Sequence, residues 1–148
     1  KKLRRPMKIK ILLVDDEKEF IDILAERLEM RAFNLSVAYS GKAALDLFHI
    51  HSFDVVILDV LMPGMDGIET LKCIKEISPL TQIIMLTGNA TVDNAILGMK
   101  NGAYDFLLKP VEISTLIEKI NAAFSIKNDH HKRMAMAKIE NIVARRGW

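Results

Sequence analysis

Asp54-Val55-Val56-Ile57-Leu58-Asp59 is an aliphatic run that stops at a carboxylate and opens into Val60-Leu61-Met62-Pro63-Gly64-Met65-Asp66-Gly67, a loop dense in turn residues. A run without polar alternation reads as a strand buried on both faces, the habit of parallel sheets covered by helices. The pattern recurs along the chain. Residues 8–14 end at Asp15-Asp16, 33–38 form a shorter run, 83–86 end at Thr87-Gly88, and 105–108 end at Lys109-Pro110. Amphipathic stretches follow each of them, over 17–30, 41–48, up to about 77, 91–101 and 111–124. The first carries Phe20, Ile23, Leu24, Arg27 and Leu28 at helical spacing, and the second carries Ala44, Leu45 and Phe48. Five alternations predict an α/β fold, a doubly wound five-stranded parallel sheet of (βα)5 type.

Right-handed crossovers leave the carboxyl ends of all strands on one edge, where ligands bind in such sheets. Asp15-Asp16, Asp59, Thr87 and Lys109 should therefore meet. Crowded carboxylates repel one another unless a cation intervenes. Mg²⁺ suits an oxygen-only site built from a few carboxylates, with a phosphate and waters completing it. His49 and His51 fall near the end of the second helix, away from that edge, and are expected on the surface. A carboxylate beside Mg²⁺ can serve as the nucleophile of phosphoryl transfer, a reaction that asks mainly for positioning and charge neutralisation. Lys109 offers a point charge for it and Thr87 a hydroxyl, with backbone N–H groups after Asp59 and at Gly88 as further donors.

Composition narrows the class. The chain has 148 residues, 50% hydrophobic and 27% charged, which fits one soluble globular domain. Its single cysteine, Cys73, excludes an intrachain disulfide framework and a multi-cysteine zinc site. No apolar run approaches the roughly 20 residues of a membrane helix, and acids after Val14 interrupt a signal-peptide reading of the basic start. A cytoplasmic protein is expected. Charge is uneven: residues 1–6 carry four basic side chains, residues 127–148 carry six basic and two acidic ones, and 7–126 hold 11 basic against 17 acidic.

The motifs are more specific as a set. VDDE at 14–17, LDVLMPGMDG at 58–67, MLTGNA at 85–90 and GAYDFLLKP at 102–110 resemble, in order and in strand–loop context, the receiver domain of two-component response regulators. The likeness covers about 8–126. It implies a flavodoxin-like fold with strand order 2-1-3-4-5. It implies Asp59 as phosphoacceptor, and Mg²⁺ held by Asp15, Asp16, Asp59 and the backbone carbonyl of Leu61. It further implies Thr87 and Lys109 as the residues that meet the phosphoryl group, Thr87 and Tyr104 as the switch pair, and a cis bond before Pro110. A sensor histidine kinase or phosphotransfer protein would supply the phosphoryl group. The chain would catalyse only its own phosphorylation and dephosphorylation, and so would not be an enzyme with an external substrate. The fourth helix, fifth strand and fifth helix would form the responsive surface, with a phosphorylation-dependent homodimer as one outcome. Residues 90–110 are similar to receivers of NtrC-type, ATPase-linked activators.

Two positions, Leu61 and Asn89, flank the approach of a hydrolytic water. An apolar Leu61 predicts slow self-dephosphorylation. Leu61 also argues against a haloacid-dehalogenase-like phosphatase, which needs an acid two residues after its nucleophile. A flavodoxin-like cofactor carrier would need a Ser/Thr/Gly-rich loop where three acids stand. The expected organisation is a basic tail over 1–7, the receiver over 8–126, and a basic extension over 127–148. The extension reads as a linker helix with a weak stripe of Met136, Ile139 and Val143, with Ile142 close by. His130-His131 has no surrounding ligands to make it a site, and nucleic-acid binding is expected only through a separate output domain.

Overall fold

The structure is a computed structural model, and it describes residues 8–62, 66–88 and 92–145. The basic tail over 1–7 and Asn89 lie outside the described residues. The elements are β1 (Lys10–Val14), α1 (Lys18–Glu29), β2 (Asn34–Ala38), α2 (Gly41–Phe48), β3 (Val55–Leu58), α3 (Gly67–Ile77), β4 (Gln82–Thr87), α4 (Val92–Lys100), β5 (Asp105–Leu108) and α5 (Ile113–Arg145). The strands form one parallel sheet in the order β2-β1-β3-β4-β5. This is the doubly wound, flavodoxin-like arrangement expected.

The aliphatic strands are continuous because alternate side chains bury on opposite faces. Leu12, Val14, Val56, Leu58, Ile83 and Met85 pack with Leu71 and Ile74 of α3 on one face. Ile11, Leu13, Val55, Ile57, Ile84 and Leu86 pack with Ile21, Leu24 and Leu28 of α1 and Leu116, Ile120 and Ala123 of α5 on the other. Leu24 and Leu28 of the expected α1 stripe are buried and Phe20 packs against the same core. The buried line of the helix is Ile21, Leu24 and Leu28, while Ile23 is 53% exposed. Ser40 caps α2 by accepting the Ala43 N–H, and Asp66 caps α3 by accepting the Glu69 N–H.

Register aligns the site. Val14 lies beside Leu58, Leu58 beside Met85, and Thr87 beside Leu108. Asp15 and Asp59 consequently emerge at one height, with Thr87 one residue and Lys109 two residues further out along the same edge.

The last helix is longer than the 111–124 expected. It runs unbroken to Arg145, since no Gly or Pro interrupts it. Beyond Phe124 it leaves the body, and Lys127 pairs with Asp54 at the start of β3 as it does so.

Gly67 fixes the seam between β3 and α3. Its N–H donates to the Val60 carbonyl, and a Cβ there would stand 2.2 Å from the Asp59 carbonyl oxygen and 2.6 Å from Val60 Cα. Backbone cannot yield as a flexible side chain does. Gly67→Ala should therefore destabilise the chain by about 2–3 kcal/mol in urea unfolding. Gly88→Ala, whose Cβ would meet only Lys109 carbons at 3.8 Å and beyond, should change stability by no more than about 0.5 kcal/mol.

Candidate functional site

The carboxyl edge of the sheet brings the expected residues together. Asp59 follows β3 and its N–H donates to the Val14 carbonyl, while Asp15 follows β1 and donates to Ala38. Both carboxylates are buried, Asp15 at 2% and Asp59 at 5% exposure. Asp59 Oδ1 accepts the Leu61 N–H at 3.3 Å, and the Thr87 hydroxyl is near enough to the same carboxylate to favour its charged form. Lys109 N–H donates to the Thr87 carbonyl, which locks the fifth strand end onto the fourth. The peptide bond from Lys109 to Pro110 is cis, as expected.

The Lys109 ammonium reaches into the acids. Nζ donates to Asp15 Oδ2 at 2.7 Å and to Glu17 Oε1 at 3.0 Å, lies 3.9 Å from Asp59 Oδ2, and sits 4.2 Å above the centre of the Phe20 ring. Burial opposes its charge, but the hydrogen bonds to Asp15 and Glu17 and the charges of Asp15 and Asp59 outweigh burial and raise its pKa above the ordinary lysine value. Asp59 is pushed up to about 6. Burial is the main cause and the Asp15 charge the second; Lys109, Thr87 and the Leu61 N–H pull the other way without prevailing.

Oxygens of Asp15, Glu17 and Asp59 lie within 4.8 Å of one another, a donor set for a hard cation. Glu17, which the sequence reading did not single out, joins Asp15 and Asp59 in this group, and Asp16 and Glu17 are both exposed. The reason is local: Asp15 Oδ1 accepts the Glu17 N–H at 2.9 Å, a tight turn that returns residue 17 toward the pocket. The sequence signal for Glu17 was its place in the acidic triplet, two residues after a strand-end acid. Tyr104 is half-buried against the core on the α1 and α5 face, and its N–H donates to the Ile83 carbonyl. His49 and His51 are exposed and remote from the edge. No helix among the described residues is long and apolar enough to cross a membrane.

The raised Asp59 pKa has a consequence for stability. The unfolded chain loses this proton near the ordinary carboxylate value of 3.8 and the native chain at about 6. Between those values the native state binds more protons, so stability falls as pH rises through the window. In EDTA at pH 7.5, Asp59→Asn should be more stable than wild type by about 1–2 kcal/mol. The gap should close as pH falls below 4, as read from urea melts across pH.

Known proteins share both sequence and shape with this chain. The family model for the response regulator receiver domain matches residues 11–121. The transcriptional regulatory protein CpxR of Escherichia coli K12 is 44% identical over 113 residues, covering 76% of this chain and 48% of CpxR. The transcriptional regulatory protein ZraR of Salmonella typhimurium is 40% identical over 118 residues, covering 80% of this chain and 27% of ZraR. The chain thus spans about half the length of one relative and about a quarter of the other. A receiver domain structure from Clostridium thermocellum aligns with TM-score 0.77 at 39% identity, over 81% of this chain and 97% of that one. With the fold, the strand-end acids and Lys109 already in place, the chain belongs to the receiver domains of two-component response regulators.

Proposed function

We propose that Asp59 accepts a phosphoryl group from a phosphohistidine on a sensor histidine kinase or a phosphotransfer protein. The carrying observation is a buried carboxylate facing an ammonium, a hydroxyl and a backbone N–H at one strand edge. An Asp59 oxygen attacks phosphorus, the bond from phosphorus to the imidazole nitrogen breaks, and the leaving nitrogen keeps the electron pair. Lys109 and Thr87 meet the phosphoryl oxygens as charge moves onto the carboxylate side. The surplus of acid at this edge suits Mg²⁺, with Asp15, Asp16, Asp59 and the Leu61 carbonyl as the residues that would hold it. When bound, Mg²⁺ neutralises acid and phosphoryl charge together.

The chain acts on itself alone in this reading. Leu61 provides no acid to speed hydrolysis, which disfavours a phosphatase. Once phosphorylated, Thr87 turns to the new oxygens and Tyr104 follows inward, biasing the surface of α4, β5 and α5. That face already exposes Ile96, Leu97, Met99 and Leu108, apolar area suited to a homodimer. Residues 8–126 form the receiver and the remainder of α5 a linker helix. Contact with nucleic acid belongs to an output domain, as the transcriptional relatives suggest, and a kinase partner of this kind supports a cytoplasmic location.

Intact mass after incubation with acetyl phosphate and Mg²⁺ tests the reading. Wild type should gain one phosphoryl group, and neither Asp59→Asn nor wild type in EDTA should gain any; equal labelling of Asp59→Asn would refute it. Decay of the acyl phosphate should take minutes or longer, and Leu61→Asn should shorten it. A wild-type half-life of seconds would count against the role given to Leu61.

A further inference from the structure

Glu17 occupies the N-cap position of α1, where Ser, Thr, Asp or Asn would ordinarily accept a helix N–H. Its side chain makes no such bond. It extends instead to Lys109 Nζ at 3.0 Å, while its own N–H is fixed on Asp15 Oδ1 at 2.9 Å. Asp15, Glu17 and Lys109 thus close a ring in which one ammonium is shared by two carboxylates, with the Phe20 ring beneath it. The two contacts differ in kind. Asp15 is buried, whereas the Glu17 side chain is 65% exposed, so the Glu17 contact is screened and easily remade.

From this geometry we infer that Glu17 is a positioning residue for Lys109, the seat that keeps the ammonium at the pocket when Asp15 and Asp59 are taken up by a divalent cation. The inference rests on the reading of the pocket given above and adds a residue to it. Without the Glu17 carboxylate, Lys109 has only Asp15 and Asp59 to pair with, and it competes with the incoming cation for both. With Glu17 present, Lys109 can yield Asp15 and keep a carboxylate partner. The cation therefore binds more tightly for a reason that acts through Lys109.

Titration calorimetry with Mg²⁺ alone, on the whole chain, tests this. Glu17→Gln should weaken Mg²⁺ binding by about three- to five-fold, the size of an exposed ion-pair effect. In a Lys109→Gln background the same substitution should cost less than about two-fold, since the competitor is gone. Glu17→Asp keeps the charge but places a short side chain that caps α1. It should weaken Mg²⁺ binding as Glu17→Gln does while leaving thermal stability undiminished. An unchanged Mg²⁺ affinity in Glu17→Asp, or an equal loss with and without Lys109, would overturn the inference and leave Glu17 as one more charge near the pocket. Absence of Mg²⁺ binding by the wild type would instead overturn the reading of the pocket, and this inference with it.

Discussion

The Lys109 ammonium stands among Asp15, Glu17 and Asp59 at the carboxyl edge of the sheet, and the arrangement of that edge depends on it. Two of these carboxylates are buried, and buried like charges at such range cannot all remain ionised without a cation. Lys109 supplies one, yet burial first and the Asp15 charge second outweigh it, so Asp59 holds its proton to about 6. The pocket is therefore poised for a further cation or for a group whose arrival redistributes the charge. Its ingredients come from strands far apart in sequence, and only the parallel pairing of β1, β3, β4 and β5 brings them to one edge.

The scaffold answers to that requirement. Sandwiching the sheet between two helical layers buries both strand faces and lets the strand ends present polar groups without opening the core. Gly67 brings the start of α3 against the Asp59 backbone at a distance no side chain would permit. The Leu61 N–H is aimed back at Asp59 by the same loop. Burial, backbone donors and the shared ammonium thus act on one carboxylate, and each moves its proton affinity in a known direction.

Most of the fold was legible in sequence because aliphatic runs ending in Asp59, Asp15 and Lys109 signal both strand and edge. The strand order came from resemblance to receiver domains; periodicity alone would have left it open. Three features were not legible. The burial of Ile21 rather than Ile23 on α1 depends on how the helix rolls against the sheet, which helical spacing leaves free. The entry of Glu17 into the acid group depends on the turn made by the Asp15 side chain with the Glu17 N–H. The continuation of α5 to Arg145 crosses a change in composition that resembles a boundary, but backbone hydrogen bonds continue wherever no Gly or Pro stops them.

If shared charge is the organising constraint, Lys109 must change partners when a phosphoryl mimic arrives. A crystal structure of the chain with Mg²⁺ and beryllofluoride observes this directly. The mimic should be bonded to an Asp59 oxygen, with Lys109 Nζ on one of its fluorides and Asp15 given over to the metal. Lys109 still held between Asp15 and Glu17, with the mimic absent from Asp59 or bound elsewhere, would contradict the assignment of this edge as the phosphoryl-accepting site.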